Sequence, residues 1–451
     1  MFKTITEKIK PFWISEGKDN SLKNKLIKGV AGSFGLKVSS SALAFVMSVI
    51  LARFLGKAGL GTYSYAMTWA NLLGIPAALG LDQLIVREIA VYRSQKKYSL
   101  MGGILRWASI LVIFSSITVT LIAIAVAWQK QTNSNPTVTI AIAMAMVTVP
   151  VISLRNVRLG AMKGLRKVVV GQIPDSLLSP LIIICLVTLS YFLLNERFNV
   201  FWVLGIKIVA SVVTFAVGTK WLLNSLPPEV SQIAPEYKTK KWLADALPFM
   251  FLGTSQLLNS RIDIIMLGAI KGVDAVGIYA VLLGISKLTV FIHQAANSVL
   301  GPTIATLYSE GEMRQLESVV RKSMLSVFAF SLVIGIPLIL LGKQVLLIFG
   351  AEFIPGRTAL AILVVGSIFT SFTGAVGILL NMTGHQNDTA IAVGISAVLN
   401  IILNSVLIPI WGINGAATAT TTSLILINII KAISVKRKLG ISLYSFGSKK
   451  S

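Results

Sequence analysis

Six ionisable side chains stand out well inside long apolar segments of this sequence, where a charge is costly. An ionised group near the centre of a bilayer costs about 2.5–3.5 kcal/mol on insertion scales, so such residues usually face a partner or a wet cavity. They are therefore candidates for binding a charged ligand or for moving an ion. The six are Lys37, Asp175, Lys207, Arg261, Asp263 and Lys287.

These charges have no neutralising neighbours close by in the sequence. Helical neighbours lie three and four positions apart, and neither Lys37 nor Lys287 has an acidic residue there. Arg261 and Asp263 are two positions apart, so they point to nearly opposite sides of one helix. Four cations against two carboxylates leave surplus positive charge, which favours an anionic ligand. The planar fork of Arg suits phosphate oxygens in particular.

A structural role is the alternative for two of the six. Asp175 and Lys207 could close salt bridges between helices with no part in transport. Arg155 and Arg158 lie near the inner end of the fourth predicted span, and we attribute them to membrane topology. Asn400 and Asn404 share one face of a predicted span and indicate helix packing.

The composition identifies the environment in which these charges lie. Of 451 residues, 55% are hydrophobic and only 13% are charged, and the mean hydropathy is +0.80. A water-soluble chain of this length cannot bury so much apolar surface and still cover its exterior with polar groups. This excludes a soluble enzyme, a disordered protein and a disulfide scaffold. The sequence predicts an integral membrane protein.

The basic residues predict the orientation. The chain has 41 Lys and Arg against 17 Asp and Glu, a net charge of +24. We attribute this excess to topology and headgroup contact rather than to nucleic acid. Inner segments, counted with the adjoining span ends, hold 30 of the 41 basic residues, and the outer loops hold 7. The positive-inside rule therefore predicts that both termini are cytoplasmic.

Stretches of about 20 apolar residues, the length that crosses a bilayer, occur twelve times. The region 323–357 is the least regular, because Pro337, Gly342 and Lys343 interrupt it. The predicted spans are 29–52, 59–81, 103–127, 138–160, 168–194, 199–221, 246–270, 275–300, 323–342, 358–381, 388–410 and 412–435.

A short repeat predicts two related halves. Leu55-Gly56 followed by Gly61-Thr62-Tyr63 recurs as Leu267-Gly268 followed by Gly277-Ile278-Tyr279. Six spans in each half is an even number, so the halves should share one orientation about an axis along the membrane normal. The predicted parts are a basic N-terminal segment 1–28, a first six-helix bundle 29–223, a cytoplasmic linker 224–245, a second six-helix bundle 246–435 and a basic tail 436–451.

Catalytic and metal motifs are missing from the sequence. It contains no P-loop and no H-E-x-x-H motif. His293 and His385 stand alone, and the single cysteine, Cys185, excludes an intrachain disulfide and a C-x-x-C site. The outer loops are too short for an extracytoplasmic catalytic domain, as a membrane polymerase or ligase would require. We therefore expect no enzyme, no metal and no cofactor.

Short motifs distributed along nearly the whole chain resemble one transporter family. In order, they match polysaccharide-biosynthesis flippases of the Wzx type, in the superfamily of multidrug, oligosaccharidyl-lipid and polysaccharide exporters. The motifs are Ala52-Arg53-Phe54-Leu55-Gly56, Gly61-Thr62-Tyr63, Gly80-Leu81-Asp82, Arg87-Glu88-Ile89-Ala90, Arg261-Ile262-Asp263, Gly277-Ile278-Tyr279, Pro302-Thr303-Ile304-Ala305 and Pro409-Ile410-Trp411-Gly412-Ile413-Asn414-Gly415.

The resemblance implies an all-α membrane fold of two six-helix bundles around a central cavity. It also implies alternating-access transfer of an undecaprenyl-pyrophosphate-linked oligosaccharide across the bacterial inner membrane. Arg261, Lys287 and Lys37 would then bind the pyrophosphate and acidic sugars, and Lys207 is a further substrate-binding candidate. Asp263, with Asp175, would compete for the cations or carry a coupling proton, and a sodium gradient is the other candidate energy source. Membrane lipids and other polysaccharide-assembly proteins are the expected partners, and nucleic acid is not.

Two other transporters share the implied fold. A multidrug exporter would favour acidic residues in the cavity for cationic drugs, and the surplus positive charge argues against it. A flippase for lipid-linked peptidoglycan precursors is the second alternative. Flippases of that kind tend to have two further C-terminal helices, and the twelve predicted spans do not include them.

Overall fold

A computed structural model describes residues 20–129 and 135–441 of the chain. Within these ranges the protein is helical and contains no β-strand. Much of the predicted segment 1–28 and of the tail 436–451 lies outside the described residues. The predicted all-α membrane fold is confirmed in this part of the chain.

The first half consists of one very long helix followed by shorter ones. A π-helical turn, Pro174–Leu178, connects the helix Val168–Ile173 to the helix Ser179–Leu194. The helices are α1 Asn20–Ala77, α2 Leu81–Ser94, α3 Tyr98–Gln129, α4 Pro136–Met146, α5 Val149–Gly164, α6 Val168–Ile173, α7 Ser179–Leu194 and α8 Val200–Leu223.

The second half follows a short linker that contains the four-residue helix α9, Glu229–Gln232. A 3-10 turn, Ala351–Gly356, separates the helix Gly342–Phe349 from the helix Arg357–Thr373. The helices are α10 Thr239–Lys271, α11 Val273–Ser309, α12 Met313–Leu340, α13 Gly342–Phe349, α14 Arg357–Thr373, α15 Val376–Met382, α16 Gln386–Trp411 and α17 Ile413–Leu439.

Ten helical segments among the described residues are long and apolar enough to cross a membrane. One of them, Gly35–Ala77, covers most of the first two predicted spans, 29–52 and 59–81. Gly56 breaks it with φ 67° and ψ −178°, a conformation that glycine adopts without a steric cost. Each leg has about 20 residues and spans about 30 Å at a rise of 1.5 Å per residue. The predicted span 246–270 lies in α10, which is not among the ten, and stays a prediction.

The two copies of the repeat meet at one end of the molecule, here named the Gly61 end. A Cβ atom at Gly61 would collide with the carbonyl oxygen of Val273, and one at Gly277 would collide with that of Lys57. The absence of a side chain at both glycines therefore allows the backbones of α1 and α11 to touch. The repeat that links the halves in sequence also joins them in space.

Polar contacts tie the two halves together beside these glycines. Lys57 Nζ lies 3.2 Å from Asp274 Oδ2, and the Lys57 amide donates to Glu352 Oε1 at 3.0 Å. Arg53 donates to the carbonyl oxygens of Leu347 and Ile348 at 2.6 and 2.8 Å. The first half is thus fastened to α13 and to the 3-10 turn of the second half, and the Gly61 end is closed.

At the opposite end, α2 of the first half holds the beginning of α10. Arg87 Nη2 lies 2.5 Å from Asp245 Oδ2, and the Trp242 indole donates to the Tyr92 hydroxyl at 2.9 Å. Burial raises the pKa of Tyr92 to about 12, so its phenol stays protonated near neutral pH. Gly80 has φ 71° and packs on the α10 backbone.

Helix α10 is consequently shared between the two halves. Trp242 is fully buried in a core built from α2, α3 and α5 of the first half. Further along the same helix, Ile264 and Leu267 belong to a core that contains Tyr279 of α11. The structure therefore packs the end of the predicted linker 224–245 into the first half.

Buried amides and small residues pack the last two helices against each other, as the sequence predicts. The Asn400 amide donates to Ser423 Oγ at 3.3 Å, and the Asn404 amide donates to the Asn400 side-chain oxygen at 3.0 Å. Gly415 lies against the backbone of Leu407, where a Cβ would collide. These contacts fix the α16–α17 pair around the short turn at Gly412.

We expect Gly61→Ala and Gly277→Ala each to lower the free energy of unfolding by about 1–3 kcal/mol, the usual cost of overpacking. Unfolding in detergent, followed by circular dichroism, measures the change. Gly205→Ala is the matched control, because it is also helical and has no atom within 4 Å of its Cβ position. Equal stability of Gly61→Ala and Gly205→Ala would contradict the close backbone contact.

Candidate functional site

A buried carboxylate in the second half is held by hydroxyl groups from two other helices. Asp263 on α10 is 4% exposed. The Tyr279 hydroxyl on α11 donates to its Oδ2 at 2.8 Å, and Thr420 on α17 lies 3.2 Å from the same oxygen. The backbone amide of Ile264 donates to Oδ1 at 2.8 Å. Neutral donors therefore surround this carboxylate, and no ion pair joins it to another residue that the structure describes.

Two cations lie close to this carboxylate without bonding to it. Lys287 on α11 interacts electrostatically with both Arg261 and Asp263. The side chains of Lys287 and Arg261 form no hydrogen bond and no ion pair with another residue in the described part of the chain. The structure thus brings Arg261, Asp263 and Lys287 together, with one more positive than negative charge.

Lys287 lies on the side of α11 that faces α1 of the first half. Gly284, one helical turn before it, faces Ser48 of α1. Lys287 lies on the same side of α11 but further from the closed Gly61 end. Its side chain is exposed although protein atoms surround it on most sides. Both facts are expected of a group in a wet cavity.

A second charged cluster lies within the first half. Arg158 on α5 is 3% exposed and pairs with Asp175, whose side chain is 15% exposed. Arg158 also donates to the Thr214 carbonyl of α8 at 3.2 Å. Gly218 leaves room for the guanidinium, because a Cβ there would overlap Arg158 Nη1. Three helical segments therefore converge on one buried ion pair.

Lys207 and Arg155 complete this cluster. Lys207 on α8 interacts electrostatically with Arg155 and Asp175. The Nε atom of Arg155 is buried without a hydrogen-bond partner. Asp175 lies in the π-helical turn after Pro174, and π-helical turns often occur at functional sites. The structure thus brings Asp175 and Lys207 together but separates them by helix and by half from Arg261.

The remaining candidate, Lys37, lies on the first leg of α1. Its side chain is half-buried, and Ser40 Oγ donates to its backbone oxygen at 3.0 Å. The part of Lys37 in a common site with Arg261 and Lys287 stays a prediction.

The structure shows interior positions for several residues that the sequence analysis attributed to topology or did not consider as site residues. Arg158 is an interior ion-pair partner rather than a headgroup contact, which corrects the topological assignment. Lys431 on α17 lies inside a predicted span and is an electrostatic neighbour of His293 on α11. Its position within the apolar run 412–435 is the sequence feature that could have identified it as an interior charge. Tyr279 was noted only as part of the repeat.

No three His, Cys, Asp or Glu side chains meet to form a metal site in the ranges that the structure describes. The two clusters instead offer guanidinium, ammonium and hydroxyl groups. Such groups bind oxyanions through charge-assisted hydrogen bonds. The arrangement can therefore hold a charged ligand, and Asp263 can take part in moving a cation.

Comparison with solved structures identifies the fold. An inward-facing multidrug resistance MATE family transporter of the MOP superfamily superposes with a TM-score of 0.70 at 16% identity, over 92% of this chain and 100% of that one. The lipid II flippase MurJ, in an inward closed conformation, gives a TM-score of 0.66 at 15% identity, over 89% and 87%. The fold is that of a MOP-superfamily membrane transporter.

The sequence identifies the family within this class. The profile described as polysaccharide biosynthesis protein matches residues 26–308, and the MatE profile matches residues 248–406. The chain belongs to the polysaccharide biosynthesis protein family, and the resemblance in its motifs is confirmed. A relative from Haloferax volcanii, the probable low-salt glycan biosynthesis flippase Agl15, is 23% identical over 88% of this chain and 81% of its own.

We expect Arg158→Gln to destabilise the protein by about 3–5 kcal/mol, because it leaves the Asp175 carboxylate buried and unpaired. The double variant Arg158→Gln with Asp175→Asn should recover most of that loss. Thermal unfolding in detergent measures both. Asp274→Asn, which removes the exposed pair with Lys57, is the control and should cost about 0–1 kcal/mol. Additive single-variant losses in the double variant would contradict a direct pair.

Proposed function

We propose that this protein is a flippase that moves a lipid-linked oligosaccharide across a membrane by alternating access. The carrier that the motifs imply is undecaprenyl pyrophosphate, and the cargo is a polysaccharide repeat unit. The observation that carries the proposal is the pair of uncompensated cations, Arg261 and Lys287, beside the space between the halves. Its support from relatives is the name of Agl15, a glycan biosynthesis flippase.

In this proposal Arg261 and Lys287 hold the pyrophosphate. A diphosphate offers several oxygens, and a guanidinium can bind two of them at once. Lys37 adds positive charge on the first leg of α1. The apolar carrier tail stays in the lipid, since burying it inside the protein would gain nothing over the bilayer. Only the charged headgroup and the sugars then need a polar passage.

Asp263 is the proposed coupling group. It is close enough to Arg261 and Lys287 to attract them electrostatically, so it competes with a bound diphosphate for both cations. Proton or sodium binding to this carboxylate would remove that competition. Such linkage would couple an ion gradient to substrate binding and release, because each ligand changes the affinity for the other.

The proposed topology follows the distribution of basic residues. The end that carries Arg87 and Asp245 faces the cytoplasm, and the closed Gly61 end faces outward. Both termini are then cytoplasmic, and the cavity opens inward. The sequence motifs favour a bacterial inner membrane, while Agl15 belongs to an archaeon. The proposal therefore depends on the charge of the substrate rather than on its host.

The fold alone would also fit a multidrug exporter or a flippase for peptidoglycan precursors. A cavity that binds cationic drugs would place carboxylates where this chain has Arg261 and Lys287. The positive charge favours an anionic substrate and makes a drug exporter the weaker alternative. We do not propose a catalytic reaction.

Replacing both Arg261 and Lys287 with Ala should abolish export of the lipid-linked glycan at unchanged protein level. Each lost hydrogen bond to a charged group is worth about 1.5–3 kcal/mol, so two losses lower binding by about a hundredfold or more. Surface-glycan content in a complemented deletion strain measures export. The control is the double variant Lys343→Ala with Arg357→Ala, whose side chains are exposed in the same half. Normal export by the Arg261 and Lys287 variant would refute the assignment.

Asp263→Asn should preserve the hydrogen bonds from Tyr279 and Thr420 but remove the titratable charge. We expect transport in proteoliposomes to lose its response to an imposed proton or sodium gradient, while pyrophosphate still binds. Glu312→Gln, at an exposed site, is the control and should keep the response. A gradient response that survives in Asp263→Asn would exclude this carboxylate as the coupling group.

A further inference from the structure

The first half contains positive charge that the proposed pyrophosphate site does not use. Lys207 lies on the inward face of α8, in line with Val203, Ala210 and Thr214, which are 0%, 0% and 2% exposed. The Lys207 side chain nevertheless keeps part of its surface accessible. Its ammonium group therefore reaches an accessible space inside the bundle rather than a packed core.

Arg155 shares this location and is also unpaired. Arg155 and Lys207 are electrostatic neighbours, and no hydrogen bond or ion pair joins either of them to another residue in the described ranges. The buried Nε atom of Arg155 is a donor without an acceptor. A guanidinium remains charged in proteins, so it cannot escape this cost by losing a proton. A ligand that supplies acceptor oxygens would satisfy it.

The nearby carboxylate cannot serve both cations. Asp175 is engaged by Arg158, whose guanidinium is held in turn by the Thr214 carbonyl and the gap at Gly218. Subtracting this pair leaves Arg155 and Lys207 as two uncompensated positive charges. Asp175 is still an electrostatic neighbour of both. It is therefore placed to weaken the hold on a bound anion and permit its release.

We propose that Arg155 and Lys207 form a second anion site, which binds the carboxylate of an acidic sugar in the transported glycan. This inference rests on the proposed function, in which the diphosphate occupies Arg261 and Lys287 in the other half. The carrier tail has no charge, so a further anionic group on such a substrate must belong to its sugars. The Arg155 fork matches the two oxygens of a carboxylate, and Lys207 adds a point charge.

Two sites in opposite halves would select substrates by composition as well as by carrier. The pyrophosphate is common to every cargo on the same carrier, so a site for it cannot distinguish one glycan from another. An acidic sugar differs between glycans. The second site would therefore favour a glycan that carries uronic acid over a neutral glycan of the same length.

Titration calorimetry on the full chain in lipid nanodiscs tests the inference with four probes. They are a galacturonic acid oligomer, a neutral glucose oligomer of equal length, inorganic pyrophosphate and acetate. Lys207→Gln and Arg155→Gln should each weaken the acidic oligomer by about tenfold and leave pyrophosphate unchanged, because one charged hydrogen bond is lost. Arg261→Gln should weaken pyrophosphate. Lys207→Arg should retain acidic-oligomer binding.

Lys220→Gln is the matched control, since Lys220 is on the same helix but exposed at its end. It should change the binding of neither probe, and thermal unfolding should show all variants folded. Equal affinity for the acidic and neutral oligomers, or no effect of Lys207→Gln, would overturn the second site. Acetate that binds as tightly as the oligomer would also overturn it, by reassigning the site to a free anion. Pyrophosphate binding that ignores Arg261→Gln would instead refute the proposed function.

Discussion

The cost of placing a charge inside a membrane protein constrains the interior of this molecule. The two halves of the protein accommodate interior charges in two different ways. Arg158 and Asp175 neutralise each other in a buried pair. Arg261 and Lys287 have no such partner in the described ranges, and both keep part of their surface accessible. A cation that remains unpaired in this setting is expensive to keep, and in the proposed function an anionic ligand provides the compensation.

The halves are joined by contacts that only small residues permit. Gly61 and Gly277 bring two backbones together at the closed end, and Gly80 does the same at the other end. Between them α10 is anchored to the first half through Trp242 and to the second half through Asp263. Rocking of the halves would therefore load this one helix, which also carries two of the charged groups. In the proposed alternating access, movement and binding would be linked through this helix.

The fold and the charges answer different questions. A multidrug transporter and a lipid II flippase share the architecture at 15–16% identity, so the architecture alone does not select the cargo. In the proposed function, the choice of cargo rests on side chains such as Arg261 and Lys287, which add positive charge to the interior. Asp263 is the carboxylate that lies beside these two cations. Its hydroxyl and amide partners stabilise a negative charge without neutralising it.

The sequence by itself determined the membrane class, the helical spans and the presence of costly interior charges. These properties depend on composition and on local apolar length, which are read along one helix at a time. The glycine repeat also predicted two related halves. The tertiary structure decided the partners. Arg158 meets Asp175, and Tyr279 meets Asp263, because separate helices pack with particular rotations and offsets. No spacing within one helix encodes those rotations, so the sequence could name the charges but could not pair them.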